Sequence, residues 1–409
     1  MTIVMTHLAG HLNQFLESTE RPVARAVDHV IKEALACRAS DIHLEPTSSS
    51  LDISFRIDGV LQTVAGLSRG IAEQIVSRVK VMSGLITYRN DIPQDGRIDD
   101  PRGDFRVSVL PTIHGEKIVI RIFQQEAAIL ELNALGFTSE ITGGLRKFIN
   151  EPGGVLLLTG PSGSGKTTTI YSILREMTAR EPRPSIVTIE EPVEQDIPGV
   201  TQTQVNPSAE LTFSTGLRTL VRQDPEVIVV GEIRDLETAQ TAIEAGLTGH
   251  KVISTIHSGS ASGVFARLLD MGVPPYLLVS SLTAVLAQRL LRKLCTNCRQ
   301  ADSESRAAVG EAEDEFVPMT AKGCEQCVMT GYLGRMPAGE FLFLDDRIHE
   351  LIMARSPLDE LQKAAGQSGS SSLRASALDA WKEGMTSYEE MSRVLGVERP
   401  ANRGRASID

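Results

Sequence analysis

The sequence predicts an α/β fold in which a doubly wound parallel sheet is preceded by a smaller α+β domain and followed by a helical part. From about residue 132, short apolar, β-branched runs alternate with helix-like segments, as in parallel strands covered on both faces. Before that point, apolar and polar residues alternate, a pattern typical of strands with one exposed face. Two CxxC pairs in the last third of the chain predict a metal-binding element within the helical part.

Composition limits the class of protein. The 409 residues carry a formal net charge of −11, which argues against a broad nucleic-acid-binding surface. A helix is predicted over residues 276–294, and the short basic run at residues 289–293 is interpreted as its solvated end. Residues 1–16 lack the features of a secretory signal, and the most apolar helix-length segment, residues 276–287, is too short to span a bilayer. We therefore expect a soluble, intracellular protein whose cysteines favour a metal site over disulfides.

Each element of the N-terminal α+β domain has its own pattern. Residues 21–37 carry apolar side chains at spacings of three and four, which predict a helix, and residues 51–57 alternate as a strand. Asp58-Gly59 predicts a hairpin turn after that strand. Residues 71–82 show a second helical face. Two more strands are predicted at residues 104–110 and 116–123.

Three arginines lie near these last strands: Arg97, Arg102 and Arg106. From the residues alone they are interpreted as solvated loop and strand-face charges. The alternative is that some of them face a phosphate. Cys37 stands apart from the CxxC pairs, and we expect it to pack as a small hydrophobic residue.

The stretch GPSGSGKT, here called the phosphate loop, matches GxxxxGKT and lies between an apolar run and a segment with helix character. Its glycines let backbone N–H groups approach phosphate oxygens, Lys166 supplies charge to the outer phosphates, and Thr167 is the expected Mg²⁺ ligand. A helix starting there directs its positive end at the same anion. The predicted nucleotide site comprises Gly160, Pro161, Ser162, Gly163, Ser164, Gly165, Lys166, Thr167 and Thr168.

Polar residues follow the apolar runs of the predicted sheet. Glu190 and Glu194 come after the second run, and Gly231 and then Glu232 after the third. Because strand ends converge on the phosphates, a carboxylate there can hold the Mg²⁺ shell or take a proton from the attacking water. For His257, after the fourth run, phosphate sensing, a bridge to a neighbouring subunit and a structural role stay open. The strands are predicted at residues 155–159, 186–189, 227–230 and 252–256.

The metal element is predicted from Cys295, Cys298, Cys324 and Cys327. Four thiolates in two CxxC pairs can enclose a tetrahedral ion, so we predict a structural zinc site rather than a catalytic one. Free thiols or a redox pair are the alternatives. The acidic segment between the pairs, residues 302–315, is expected to be a flexible excursion.

Together these motifs resemble the ATPase family that drives type II secretion and type IV pilus assembly. LTGPSGSGKTTT resembles its Walker A motif, TIEEPVE its Asp box, RQDPEVIVVGEIRD its atypical Walker B motif and LTGHKVISTIHSGSA its His box. RASDIHLEP and FRIDGVL resemble its second N-terminal domain. CTNC, GCEQC and TGYLGR resemble its tetracysteine element. The resemblance covers roughly residues 20–396 and implies a RecA-like P-loop motor domain.

The resemblance implies roles for single residues. Glu232 would be the Walker B carboxylate acting on Mg²⁺ or the attacking water. Glu190 and Glu194 would be the Asp-box carboxylates, and His257 the His-box residue. Lys166 would bind the phosphates. The implied cofactors are ATP, Mg²⁺ and Zn²⁺.

Arg97 and Arg106 would resemble the N-domain arginines that the family brings onto nucleotide held by the motor domain. Such arginines neutralise charge on the transferred phosphoryl group. The implied cycle is that ATP draws the two domains together and hydrolysis lets them part. Family members work as hexameric rings, so we expect a homohexamer with inner-membrane platform proteins as partners, cytoplasmic and peripheral at the inner membrane.

The chain departs from the family pattern at three places. Glu191 stands where aspartate is usual, which lengthens the acidic arm. Met336-Pro-Ala-Gly-Glu-Phe341 replaces a more regular Gly-Ile-Tyr-Glu pattern. About 20 residues precede the resemblance, so we expect membrane docking without the additional N-terminal domain of many members, or a truncated chain.

The expected function is an ATP-hydrolysing motor of type II secretion. Type IV pilus assembly or a DNA-uptake pilus is the nearest alternative, and a nucleic-acid motor or a non-hydrolysing nucleotide-binding scaffold is a more distant one. The tetracysteine element argues against the retraction ATPases, which generally lack it. The expected division is an arm at 1–20, the α+β domain at 21–130, the motor domain at 131–290, the zinc element at 291–335, helices at 336–400 and a disordered tail at 401–409.

Overall fold

The computed structural model describes residues 12, 21–123, 129–302, 317–367 and 371–396. The chain forms two compact units. The first gathers Met1–Ala128, Arg292–Ala301 and Thr320–Gly334, and the second gathers Ile129–Leu291, Asp302–Met319 and Arg335–Asp409. The predicted arm, acidic excursion and tail lie almost wholly outside the described residues, and the six-part division stays a prediction.

The first unit contains helices α1 (Pro22–Ala36) and α2 (Arg69–Met82), both as predicted. Its strands are β1 (Asp41–Pro46), β2 (Ser50–Ile57), β3 (Val60–Ser68), β4 (Gln94–Asp100), β5 (Gly103–Thr112) and β6 (Gly115–Phe123). They form one antiparallel sheet in the order β3-β2-β1-β6-β5-β4. The hairpin turn at Asp58-Gly59 is confirmed, with φ of 48° and 83° at the two turn residues.

Strand β4 was not predicted, because its sequence QDGRIDD is polar and contains a glycine. It forms an edge of the sheet through its pairing with β5, and it buries Gln94 and Ile98. Cys37 lies in the core between the sheet and the helices, as expected. Burial raises the pKa of its thiol to about 11, which suits a packing role.

The second unit confirms the four predicted strands as β7 (Gly154–Thr159), β8 (Ile186–Glu190), β10 (Val227–Val230) and β11 (Lys251–Ile256). With β9 (Thr201–Gln204), β12 (Leu282–Leu294) and β15 (Tyr332–Phe343), the sheet order is β15-β12-β7-β11-β10-β8-β9. The six strands from β12 to β9 pair in parallel. Two short strands, β13 (Gln300–Ala301) and β14 (Met319–Thr320), pair separately.

Helices cover both faces of this sheet, as a doubly wound fold requires. Along β7, Val155 and Leu157 pack in one apolar cluster, whereas Leu156 and Leu158 pack in another. The helices are α3 (Ser139–Asn150), α4 (Lys166–Thr178), α5 (Phe213–Leu220), α6 (Leu236–Leu247), α7 (Ala261–Asp270) and α8 (Pro275–Ser281). The C-terminal helices are α9 (Asp346–Met353), α10 (Leu358–Gln367), α11 (Leu373–Lys382) and α12 (Tyr388–Leu395).

The predicted helix over residues 276–294 is wrong beyond its first turns. Helix α8 ends at Ser281, and strand β12 takes the chain from Leu282 to Leu294. The basic run at residues 289–293 therefore lies on a strand and not at a helix end. Because β12 lies inside the sheet, next to β7, its apolar run lacks the alternation that distinguishes a strand from a buried helix.

The glycine- and serine-rich stretch at residues 366–372 overlaps the end of α10, and its residues 368–370 lie outside the described ones. Within the described ranges, none of the helices has both the length and the apolarity that crossing a membrane requires.

Candidate nucleotide and metal sites

The phosphate loop connects the end of β7 to the start of α4. Gly163 and Gly165 have φ of 74° and 88°, left-handed values that glycine adopts without strain. A Cβ at Gly163 would meet open space. Helix α4 begins at Lys166, so the N–H groups of its first turn, which lack helical partners, lie at the loop. This geometry fits a bound phosphate.

The ammonium group of Lys166 lies against the loop. Its Nζ donates to the carbonyl oxygens of Gly160 and Pro161, at 2.8 and 3.1 Å. Burial lowers the pKa of Lys166, while the charge of Glu232 raises it and that of Arg289 lowers it. The structure thus brings the loop lysine within electrostatic reach of Glu232.

The other loop residues differ in exposure. Pro161 and Ser162 are exposed, and Thr168 is exposed on the first turn of α4, where Thr167 is half-buried. Ser164 is buried, and its hydroxyl has no hydrogen-bond partner among the described residues. The exposed and half-buried hydroxyls at the helix start leave Thr167 able to serve as the predicted Mg²⁺ ligand.

Glu232 is the centre of a charged cluster just beyond β8, β10 and β11. One carboxylate oxygen lies 2.7 Å from Nε2 of His257, and the other accepts a hydrogen bond from Nε of Arg234 at 2.6 Å. Arg234 also donates to Oε2 of Glu191 at 2.8 Å. The hydrogen bond to Glu232 raises the pKa of Arg234. His257 and Arg234 thereby contact the Glu232 carboxylate directly, and Glu191 joins the cluster through Arg234.

Close packing explains why Gly231, rather than an acidic residue, directly ends the apolar run of β10. A Cβ at this position would lie 3.3 Å from Cα of Glu190 and 3.2 Å from the ring of Phe213. Glycine therefore lets β8 and β10 approach each other closely at this end. The carboxylate comes one residue later, at Glu232.

Glu190 lies at the end of β8 and is 5% exposed. Its carboxylate accepts hydrogen bonds from Tyr171 and Thr188, both at 2.5 Å, and from Gln202 at 3.1 Å. Burial and the bond to Glu190 raise the pKa of Tyr171. The Tyr171 hydroxyl also accepts from the backbone N–H of Glu194 at 3.2 Å. Glu190 therefore ties helix α4 to β8, whereas Glu191 joins the Glu232 cluster.

Arg97 and Arg106 belong to the first unit, where they are directly paired on β4 and β5. Nε of Arg97 donates to Asp104 at 2.6 Å, and the Arg106 guanidinium lies 4.6 Å from the centre of the Phe123 ring. The register places Arg121 of β6 next to Arg106. Sequence reasoning did not single out Arg121, because strand register is not visible in the spacing.

Arg102 has a local role in the turn between β4 and β5. It donates to both carboxylate oxygens of Asp100, at 2.7 and 2.6 Å. These bonds lower the pKa of Asp100 to about 2. Arg102 thus fits the predicted description of a solvated loop charge.

Cys295, Cys298, Cys324 and Cys327 form the four-cysteine cluster of the first unit, with all sulfur atoms within 4.8 Å of one another. Three sulfur pairs are 3.7 or 3.8 Å apart. Sulfurs about 2.3 Å from a tetrahedral zinc ion are about 3.8 Å apart, whereas disulfide sulfurs are about 2.0 Å apart. The spacing fits a tetrahedral ion and not a disulfide.

Some sulfur atoms of this cluster accept hydrogen bonds. Nδ2 of Asn297 lies 3.4 Å from the Cys324 sulfur, and the backbone N–H groups of Cys324 and Gly331 donate to the Cys327 sulfur at 3.2 Å each. The bond from Asn297, followed by one from the Cys327 backbone, lowers the pKa of Cys324 to about 6. Such donors stabilise the Cys324 thiolate, whereas burial raises the pKa of Cys295 and raises that of Cys298 to about 12.

A family model described as Type II/IV secretion system protein matches residues 17–393. The chain belongs to this family. The loop and the Glu232 cluster described above are formed by the stretches whose sequences resemble motifs of this family.

Individual relatives agree with this membership. The type II secretion system ATPase E of Vibrio cholerae serotype O1 is 44% identical over 388 residues, which are 93% of this chain and 76% of the relative. The type IV pilus assembly ATPase PilB of Thermus thermophilus is 41% identical over 92% of this chain, but the match spans 43% of PilB. The crystal structure of the pilus retraction motor PilT with bound ADP covers 89% of this chain and 95% of PilT, at 25% identity and a TM-score of 0.58.

This secretion-family member is an ATP-hydrolysing enzyme. Its site contains residues to which sequence reasoning gave no role, namely Arg234 and Gln288. Arg234 could have been found from its place two residues after Glu232. Gln288 could not, since it lies on β12, the strand that was predicted as a helix.

Proposed function

We propose that this chain is the ATP-driven motor of a type II secretion system, in which it powers assembly of a pseudopilus for export across the bacterial envelope. The supporting observation is a phosphate loop that leads into a helix at Lys166, on the same sheet whose strands β8, β10 and β11 lead into the Glu232 cluster. The chain is 44% identical to the type II secretion ATPase of Vibrio cholerae over 93% of its length. The intact Lys166, Thr167 and Glu232 favour turnover over passive nucleotide binding.

In this proposal Lys166 and the loop N–H groups bind the phosphates, and Thr167 ligates Mg²⁺. Bound MgATP supplies the transferable phosphoryl group. Glu232 orients the Mg²⁺ shell or accepts the proton of the attacking water. His257 and Arg234, each bonded to one of its oxygens, hold that carboxylate in place. Displacing either partner would change both the orientation and the basicity of Glu232.

In this proposal the carboxylates of the Asp box have different roles. Glu190 acts through its buried bond to Tyr171, which holds the helix that follows the phosphate loop. Glu191 balances Arg234 and so limits how strongly the arginine pairs with Glu232. Glu194 is the other carboxylate assigned to the Asp box.

Arg97 and Arg106 are proposed to supply positive charge to the phosphoryl group during turnover, as arginine residues do in other phosphoryl-transfer enzymes. Both lie on one exposed strand pair, and Arg97 is 64% exposed. The proposal also includes Arg121, since it lies beside Arg106 in the sheet. Removal of these charges should slow hydrolysis more than it weakens nucleotide binding.

The four-cysteine cluster is proposed to hold one structural Zn²⁺ ion. We further propose that the chain works as a homohexamer, located in the cytoplasm and peripheral at the inner membrane through platform proteins. The acidic composition and the absence of long apolar helices among the described residues are compatible with attachment through protein partners.

The first test measures Mg²⁺-dependent phosphate release by the purified full chain, with native mass spectrometry to count its subunits. The second test deletes the gene in its host and restores it in trans, measuring exported proteins and surface pili in parallel. Secretion lost with pili retained would support the proposal. No phosphate release by assembled protein would refute the motor, and hydrolysis that depends on added DNA would favour a nucleic-acid motor.

Type IV pilus assembly is the second candidate. The 41% identity to the pilus assembly ATPase PilB favours it, because the same type of ATPase can power either type II secretion or pilus assembly. In the deletion experiment this candidate predicts the opposite result, with pili lost and secretion retained.

A further inference from the structure

Gln288 lies on β12 and is 1% exposed. In the parallel register, Ala287 is opposite Thr159, the last residue of β7. Gln288 therefore stands one residue further, beside the beginning of the phosphate loop. A buried amide at this place must have hydrogen-bond partners, because leaving it unpaired would be costly.

Both ends of the Gln288 amide have partners at the phosphate loop. Nε2 donates to the carbonyl oxygen of Ser164 at 2.7 Å, and Oε1 accepts from the hydroxyl of Thr169 at 3.1 Å. The Thr169 hydroxyl also lies 3.2 Å from the carbonyl oxygen of Gly165. The threonine thus orients the amide so that its NH₂ group faces Ser164.

The loop backbone approaches Gln288 very closely. A Cβ at Gly160 would lie 2.4 Å from the backbone carbonyl oxygen of Gln288, and a Cβ at Gly165 would lie 3.2 Å from the side-chain Nε2 of Gln288. Two glycines of the loop are therefore needed where it meets β12, in addition to any need for close approach to phosphate. The backbone and the side chain of Gln288 therefore both pack directly against the phosphate loop.

The bond to Ser164 has a consequence for the phosphate site. In a trans peptide, the C=O and the next N–H point in opposite directions. Holding the Ser164 carbonyl toward β12 therefore directs the N–H of Gly165 away from β12. Glycine accommodates φ of either sign, so the peptide between Ser164 and Gly165 could otherwise rotate and present its carbonyl oxygen to a bound anion.

We propose that Gln288 is a positioning residue of the nucleotide site, which locks the Ser164–Gly165 peptide in the orientation that presents an N–H group to phosphate. It acts through the loop and touches no substrate. The inference rests on the proposed phosphate-binding role of the loop. Strand β12 would then position the phosphate loop in addition to forming part of the sheet.

The test compares Gln288→Met, Gln288→Glu and wild type as full chains. Fluorescence titration gives the dissociation constant for ADP, and phosphate release gives KM and kcat for ATP. Methionine has a similar size but cannot donate, so we expect ADP affinity to fall about 5- to 10-fold. Glutamate adds a negative charge beside the phosphate, so we expect a further loss of roughly 10-fold. For Gln288→Met, KM should rise while kcat stays within about 3-fold, because uniform binding is lost.

Leu291→Ala is the matched control. Leu291 is buried on the same strand but packs against Met336, Ala338 and Trp381, so it reports general damage to β12. We expect a lower thermal midpoint with ADP affinity within about 2-fold of wild type. Thr169→Val tests the same inference without changing Gln288. It removes the hydroxyl that orients the amide, and ADP affinity should fall about 2- to 3-fold.

Three outcomes would overturn the inference: ADP binding by Gln288→Met within 2-fold of wild type, an equal loss in Leu291→Ala, or, if the glutamine variants do not fold, unchanged affinity in Thr169→Val. Wild-type protein that fails to bind ADP would overturn the proposed nucleotide site as well. The wild-type titration therefore separates failure of the site from failure of the Gln288 inference alone.

Discussion

The phosphate loop and the four-cysteine cluster both serve small ions, but the chain builds them from different parts. The phosphate loop is one continuous stretch that uses backbone groups, and the protein's own hydrogen bonds from Lys166 and Gln288 already close it. The cluster brings together two segments about 25 residues apart and relies on four side chains. Short elements surround it, such as the turn of 3-10 helix at Glu325–Cys327.

The comparison teaches which site depends on its ligand. The phosphate loop is supported by a buried sheet, so an empty loop should keep its shape and a damaged loop should cost activity before stability. Beside the cluster, Val328 packs against the core of the first unit, and the cysteines themselves lie in short elements and loops. Losing its ion should cost stability before activity, because metal binding then contributes directly to folding.

The largest expected effect is that of Lys166→Ala. The substitution removes the charge that faces the outer phosphates, so both ADP binding and ATP turnover should fall by about 100-fold or more. The thermal midpoint should stay within about 2 °C, since the two hydrogen bonds that Lys166 donates are local to the loop and partly exposed, so their net contribution to stability is small. Titration, phosphate release and calorimetry check this, with exposed Lys147→Ala as control. A large drop in midpoint would mean that the loop is not self-supporting.

Glu232→Gln should separate binding from chemistry at the same site. The amide keeps the size of the side chain but cannot take a proton, so turnover should fall about 100- to 1,000-fold while ADP affinity stays within about 3-fold. Single-turnover phosphate release alongside ADP titration measures the two effects. Glu176→Gln, which alters a half-buried pair with Arg146, serves as the control. Turnover near the wild-type level would remove Glu232 from the proposed mechanism.

Cys324→Ser should produce the opposite profile. A serine cannot replace the thiolate, so we expect loss of zinc, measured by atomic emission, and a thermal midpoint lower by about 5 °C or more. ADP affinity measured well below that midpoint should be unchanged within about 2-fold. Zinc retained in full by this variant would contradict the proposed four-thiolate site, and lost ADP affinity at unchanged midpoint would contradict the separation of the two sites.

Cys37→Ala should have the smallest effect, and it tests whether the zinc content of the cluster is independent of Cys37. Cys37 is buried in the core of the first unit, so removing its sulfur should cost about 1 kcal/mol of unfolding free energy. Zinc content and ADP affinity should match those of wild type. Denaturant unfolding, followed with zinc analysis, checks this. A loss of zinc would show that Cys37 communicates with the cluster.

The same comparison explains what could be predicted from the sequence. The phosphate loop and β7, β8, β10 and β11 were predicted because their signals are local: an eight-residue motif and short apolar runs. The cluster residues were predicted from CxxC spacing, but their place in the first unit was not. That placement depends on contacts such as the one from the Gly334 N–H to Asp58, at 2.9 Å, which join residues 276 positions apart.

The failures have a common physical cause. β12 was predicted as a helix, and β1, β4, β9 and β15 were not predicted as strands, because pairing with neighbouring strands, rather than local pattern, decides their conformation. Likewise, Glu190 and Glu191 are indistinguishable in the sequence. The structure buries Glu190 against Tyr171 and directs Glu191 to Arg234. Alternation at a strand end separates the two, and it can be used only when the last strand residue is known.

The first unit draws on three stretches of chain, the last of which ends at Gly334. A ribosome makes the N-terminal stretch long before it reaches the second CxxC pair. During that interval the nascent sheet lacks its final partners, and the cysteines cannot yet meet. Completion of this unit must therefore wait until strands β7 to β12 have been synthesised, although its own six-stranded sheet lies within the first 123 residues.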